Sequence, residues 1–143
     1  MPPIRRLFYM LTNSQARKII NDHVKSFLGI EQSRIQWTNQ SDFKPPASGL
    51  WCRVTVQYGD TQPSGFNNGL CERDSGIINI QCFIPKGYGD KSLIELADKW
   101  RQHWKGFGNS HFEVTKTNAP TDASGDVDDL YVMSLVRVEF RLN

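Results

Sequence analysis

Cysteine is scarce in this chain and carries no pattern. Cys52, Cys71 and Cys82 are its only three, with no CxxC pair. The odd count argues against a secreted disulfide framework. Cys52 and Cys82 fall inside strand-like stretches, where a reduced thiol behaves as a small apolar side chain in a reducing cytoplasm. Long apolar runs are missing as well: nothing approaches the roughly 20 residues that cross a bilayer. The start "MPPIRRLFYML" pairs two arginines with a few apolar residues, but Leu7–Leu11 is shorter than a signal-peptide core and no small-residue cleavage site follows. Residues 1–11 therefore read as an arm or a short strand. An excess of one charge is the third absence. The 17 basic and 15 acidic residues are mixed along the chain and leave a net charge of +2, which gives little electrostatic reason to expect a nucleic-acid or anionic-membrane surface.

The usual chemical signatures are absent too. "IQCFIPKGYGDKSLIELADKW", residues 80–100, has the strand–turn–helix outline of a phosphate cradle. It lacks both G-x-x-x-x-G-K-[ST] and G-x-G-x-x-G, and Asp90 at the helix start would repel a phosphate. The nucleophile elbow G-x-S-x-G is missing. His23, His103 and His111 form no H-x-x-x-H and pair with no Cys at metal-ligand spacing; they read as boundary histidines with ordinary hydrogen bonds. Asp122, Asp126, Asp128 and Asp129 cluster in "TDASGDVDDL" without the spacing of a calcium loop, so this is a solvated or partner-facing acidic segment. "KWRQHWK" mixes basic and aromatic residues, but helical geometry turns Trp100 and Trp104 with the leucines and the cations elsewhere. The expectation is a non-enzymatic domain with no catalytic residue, no metal site and no cofactor.

What is present is a regular alternation of elements. Thr12 and Gln15 fit a capping box, and Ala16, Ile19, Ile20, Val24 and Phe27 recur at helical spacing. The spacing predicts a helix over 13–28, stopped by Gly29. "SRIQWTN" is a short strand and "DFKPPASG" a loop. In "LWCRVTVQY" one face carries Leu50, Cys52, Val54, Val56 and Tyr58, and the other Trp51, Arg53, Thr55 and Gln57: a strand with one buried face. Gly59–Gly69 is the clearest loop. "LCERDSGIINIQCFIP" resumes as a strand with Ile78, Ile80, Cys82 and Ile84 on one face, paired to the Leu50 strand as a hairpin. A second helix starts at Asp90, a good N-cap residue, with Leu93, Leu96, Ala97, Trp100 and Trp104 on its stripe. "HFEVTKTN" is a strand and Ala119–Asp129 a polar loop. "LYVMSLVRVEFRL" is a closing strand with Val132, Val136, Val138 and Phe140 on one face.

The order α, (β), β, β, α, β, β contains no repeat. Two apolar helix stripes need a surface to cover, and one sheet with both helices on one face meets that need in two layers. The expected fold is α+β: a single mostly antiparallel or mixed β-sheet with two α-helices packed on one face. Residues 1–11 are an arm and 12–143 a single domain.

Taken in order, "QARKIINDHVKSFL", "IQWTNQSDFKPP", "GLWCRVTVQYGDTQPSG", "SGIINIQCFIPKGYGDKSLIELADKWRQHW", "HFEVTKTNAP" and "YVMSLVRVEFRL" resemble the tail-terminator (tail-completion) proteins of long-tailed bacteriophages. The resemblance spans 15–142 and is carried chiefly by "WTNQSDFKPP…LWCRVTV", the 80–100 segment and "TKTNAP"; the "PPIRRLFYM" start departs from it. It implies a virion structural protein, assembled in the host cytoplasm, that forms a homohexameric ring on the head-proximal end of the tail tube. Its partners would be the major tail tube protein and the head-completion (stopper) protein, with DNA passing through the bore and no membrane involved. Gly- and Asn-rich loops that cannot bury apolar surface alone can be ordered by such partners. On that basis Phe66, Asn67 and Asn68, at the tip of the Gly59–Gly69 loop, and Asp122, Asp126, Asp128 and Asp129 are candidate assembly-interface residues. Two other readings remain: another head–tail connector or neck component, and a small nucleic-acid-binding accessory protein or host-directed enzyme.

Overall fold

Thr12 opens the first helix, α1 (Asn13–Lys25), with the reciprocal cap its sequence predicts. The Gln15 N–H donates to the Thr12 hydroxyl at 3.2 Å, and the Thr12 N–H donates to the Gln15 side-chain carbonyl at 2.9 Å. Both backbone donors at this helix start are thereby satisfied. The helix ends earlier than the apolar stripe suggests, and Gly29 is not its stop. Ser26 caps it: its N–H reaches the carbonyls of Asp22 and His23, and its hydroxyl donates to His23 O at 2.6 Å. The Gln32 amide donates to the carbonyls of Val24 and Phe27. With those acceptors covered, no left-handed glycine is required. In this computed structural model the described residues are 11–38, 40–59, 62–63, 72–124 and 130–143, with 62–63, 72–73 and 122–124 described by their backbone.

A 3₁₀ turn (Gln32–Arg34) leads into the two-residue strand β1 (Ile35–Gln36), which pairs parallel to β2 (Trp51–Tyr58). The excursion between them is clasped by Arg34, whose Nη1 donates to the carbonyls of Ser48 and Leu50, both at 3.1 Å. Gly49 sits between those carbonyls at φ +85°, a conformation other residues resist. β4 (Glu72–Pro85) then runs antiparallel to β2, as the hairpin reading expects, with Cys52 opposite Cys82 and Val54 opposite Ile80. Gly87 and Gly89, both at positive φ, turn the chain into α2 (Lys91–Trp104). Asp90 occupies the N-cap position, but its side chain makes no capping hydrogen bond. β5 (Phe112–Thr117) and β7 (Tyr131–Leu142) follow, and β4 pairs with β7 along the whole length of β7.

Two expected loops contain short strands. Gln62–Pro63 (β3) pairs with Glu72 and Arg73, and Thr121–Ser124 (β6) pairs with Val132–Leu135. Side-chain polarity suggested loops at both places. The backbone N–H and C=O groups along β7's outer side need partners whatever the side chains, and the chain returning from β5 supplies them. Proline is tolerated in β3 because an edge strand need not donate on both sides. The result is one mixed sheet, ordered β1-β2-β4-β7-β5, with β3 added beside β4 and β6 beside β7. Since β4 fills the inner side of β7, β5 and β6 share its outer side.

Both helices cover one face of this sheet, so the architecture is α+β as expected. The stripe residues Ala16, Ile20, Val24, Phe27, Leu93, Leu96, Ala97, Trp100 and Trp104 form one core with Cys52, Val54, Ile78, Ile80, Cys82, Val136, Val138 and Phe140. The bulk of Trp100 has a matching seat. Cys52, Cys82 and Ser134 lie in one row across β2, β4 and β7, all small and all buried, and the Trp100 indole N–H points at Cys52 Sγ, 3.4 Å away. The Cys82 thiol is pushed well above its ordinary range by its contact with Cys52 and by burial. Both sulfurs are buried free cysteines, 3.8 Å apart.

Candidate assembly surfaces

The outer face of the sheet carries no helix among the described residues, and its two ends differ. At one end Trp51 stacks on Phe83 at 4.2 Å, with Tyr131 edge-on and Phe43 leaning over from the 41–50 loop. Trp51, Phe83 and Met133 are buried there as a second, smaller core. The sequence alternation assigned this side of β2 to the polar face; a loop aromatic closing over it is what changes the outcome. The Arg53 guanidinium lies over the Trp51 and Phe83 rings, 5.7 and 5.5 Å from their centroids, a cation–π contact.

Beyond that cluster the face turns polar. Thr55, Asn79 and Arg137 stand in one cross-strand row, and Gln57, Ile77 and Glu139 in the next. Arg141 donates to the Glu113 carboxylate at 2.8 Å across β7 and β5. A concavity of about 840 Å³ lies at this end, lined by Tyr58, Ser75, Ile77, Thr115, Glu139 and Arg141 among others. Among the described residues β1 pairs only with Cys52 and Arg53, and no other strand lies along that edge of β2.

On the helical side, the outward face of α1 is basic. Arg17 and Lys25 lie two turns apart and, with Asn21, Trp37 and Thr38, line a groove of about 330 Å³. Arg17 Nε donates to Asn21 Oδ1 at 3.1 Å. Asp22, the sole carboxylate of this helix, is engaged by Lys18 at 2.8 Å. That hydrogen bond holds the Asp22 carboxyl below its usual range and the Lys18 ammonium above its own.

The C-terminal turns of the two helices meet at His23 and His103. Their rings stack at 3.9 Å, and His23 also stacks on Phe107 at 3.6 Å. The His23 Nε2 lies 2.8 Å from the His103 carbonyl, and the His103 Nε2 lies 2.7 Å from the His23 carbonyl. A carbonyl only accepts, so both rings carry their proton on Nε2. Each imidazole therefore caps a terminal carbonyl of the other helix. Burial lowers the His23 pKa, with the His103 carbonyl pulling the other way. The sequence reading of ordinary hydrogen-bonded boundary histidines holds for both; that they bond to each other could not be read, because the contact joins positions 80 apart.

Of the residues expected at an interface, Asp122 lies in β6, opposite Ser134. Phe66, Asn67, Asn68, Asp126, Asp128 and Asp129 lie outside the described residues, as do residues 1–10 of the arm. Leu11, assigned to that arm, packs against the main core. Among the described residues no three His, Cys, Asp or Glu side chains are grouped to hold a metal ion, and no helix is long and apolar enough to cross a membrane. The groove beside Trp37 is not legible in the sequence, because it forms only where the chain after β1 comes alongside Arg17 and Lys25 on α1.

No family model and no curated protein matches this chain. Several solved structures are similar; one of them has a TM-score of 0.57 at 15% identity, over 89% of this chain and 95% of that one. At that identity the likeness concerns the fold alone.

Proposed function

We propose that this chain is a structural subunit of a ring that caps the head-proximal end of a bacteriophage tail tube. It ends tube polymerisation and forms part of the head–tail junction, with no catalytic role. The observation that carries this reading is the near full-length resemblance to tail-terminator proteins in segment order. Those segments fall on α1, on β1 and its loop, on β2, on β4–α2, on β5 and on β7 in turn. The surfaces suit such work. A subunit stacked between a tube and a head needs a rigid body with faces left over for neighbours. Here the helices cover one sheet face, and among the described residues the other face is free of helices and most of the β2 edge beside β1 has no strand partner.

A ring closes by a heterologous contact, so each subunit offers two different patches. The Gly59–Gly69 loop, with Phe66 at its tip, is the proposed contact to the tube protein or a neighbouring subunit. Sizing the purified chain over a concentration series is the first test: a concentration-dependent hexamer is expected, and a chain that stays monomeric both alone and with the tube protein would defeat the reading. Deleting Asn67 and Asn68 with Phe66→Ala should leave the monomer folded and impair tail assembly. Normal infectious tails from that variant would remove the loop from the account and leave the ring in place.

A further inference from the structure

Cys52 and Cys82 face each other directly across β2 and β4, on the helix-covered side of the sheet. Facing residues of antiparallel strands have Cα atoms about 4.5–5.5 Å apart, inside the span of about 4.4–6.8 Å that a disulfide bridges. The two sulfurs already lie 3.8 Å apart. A disulfide bond is about 2.05 Å long, so each sulfur has to move by roughly 0.9 Å while both strands keep their register. We propose that Cys52 and Cys82 are a redox-gated staple: they are free thiols in a reducing medium and close into a cross-strand disulfide when the protein meets a peroxide.

Three observations support this. First, size alone does not call for two thiols. The seat under Trp100 needs small residues, and Ser134 supplies one in the same row; two facing sulfurs add a chemistry that serine and alanine lack. Second, the pair is not part of a metal cluster. Among the described residues no third His, Cys, Asp or Glu is grouped with them. Third, the bond has something to hold. β4 pairs with β2 along its whole length, whereas β1 meets only Cys52 and Arg53 among the described residues. A link between positions 30 apart also restricts the unfolded chain.

The chemistry closes on itself. One sulfur, as thiolate, attacks an oxygen of hydrogen peroxide: an S–O bond forms, the O–O bond breaks, and water leaves once the departing hydroxide takes up a proton. The product is a sulfenic acid. The facing thiol then attacks that sulfur; the S–S bond forms, the S–O bond breaks, and the oxygen leaves as a second water with the thiol's proton. The two sulfurs lose two electrons in all, and the peroxide is reduced to two waters. The contact with Cys52 and burial hold the Cys82 thiol well above its ordinary range, so closure is slow and proceeds through brief local openings that admit the oxidant. On the ring reading the chain folds in a reducing cytoplasm and the staple closes in the released particle; the chemistry itself does not depend on that reading.

The test uses the purified, fully reduced chain and its Cys71→Ser variant, which leaves only the facing pair. Each is held with hydrogen peroxide at mildly alkaline pH, well below its melting transition. The remaining thiols are then blocked with a maleimide, and the protein is digested without reductant. Both proteins should become lighter by two hydrogen atoms, yield a peptide that joins Cys52 to Cys82, and return to the starting mass with dithiothreitol. Denaturant unfolding should show the unfolding equilibrium constant lowered on the order of a hundredfold in the oxidised form. Recovery of Cys52 and Cys82 as free thiols or sulfinic acids would overturn the proposal, as would pairing of either with Cys71 in the wild type. A bond that forms without any gain in stability would overturn its role as a staple. Each of these results leaves the ring reading untouched, because the chain is not asked to assemble.

Discussion

His23 and His103 cap each other's helices: each Nε2–H donates to the other's backbone carbonyl, at 2.8 and 2.7 Å, across rings stacked 3.9 Å apart. The pair locks the last turn of α1 to the last turn of α2 without any covalent bond. It also ties the helical layer to pH. Burial lowers the His23 pKa below its ordinary value of 6.5, so between that value and the folded one the unfolded chain binds more protons than the native state. Stability then rises with pH in that window. The contribution is fully present above about pH 7 and is lost as pH falls through 6.5 toward the folded value. Melting temperatures measured from pH 7.5 down to 5.5 should fall, and the His23→Gln variant should show a flatter profile because its amide can still donate but does not titrate. Parallel profiles for the two proteins would show that His23 plays no part.

Gly76 stands opposite both Tyr58 and Phe140 in the sheet, and Phe140 lies over its Cα. A Cβ there would run into the Phe140 ring and come within 2.7 Å of the Gln57 carbonyl oxygen. Phe140 also stacks on Phe112 at 5.1 Å, a contact that a shift of the ring would disturb. Gly76→Ala should therefore cost about 1–3 kcal/mol, the usual range for overpacking. Denaturant unfolding would measure this; a loss under 0.5 kcal/mol would mean the ring moves aside freely.

The seat under Trp100 makes a pair of opposed predictions. Trp100→Ala removes a fully buried indole and should destabilise by about 3–5 kcal/mol, enough to threaten folding. Ser134, in the same row, has a buried hydroxyl with no hydrogen-bond partner among the described residues. Removing an unsatisfied buried hydroxyl relieves its desolvation penalty, so Ser134→Ala should be neutral or stabilise by up to about 1 kcal/mol. Equal losses from both substitutions would contradict this packing.

These contacts mark where the sequence was legible. The capping box of Thr12 and Gln15, both helix stripes and the alternation along β2, β4 and β7 depend on neighbours within a few positions, and the structure reproduces them. The errors arise where distant segments decide. Gly29 looked like a stop because Gln32 and Ser26 were not known to cover the terminal carbonyls. Thr121–Ser124 looked like loop because β7's unpaired edge cannot be seen in a side-chain pattern. Trp51 falls on the unburied face of its strand in the alternation, yet it is buried with Phe83 because Phe43 closes over it from a loop. The basic groove needs Trp37 beside α1, a juxtaposition no local pattern encodes. Of the interface residues read from sequence, only Asp122 falls on a described element.

For a chain proposed to cap the tail tube by shape, tube length is the direct readout. Particles assembled without the chain, imaged by electron microscopy, should carry tail tubes longer than the normal length, because nothing halts polymerisation at the head-proximal end. Tubes of normal length would contradict the central claim, and if they were also detached from heads the chain would belong elsewhere in the neck.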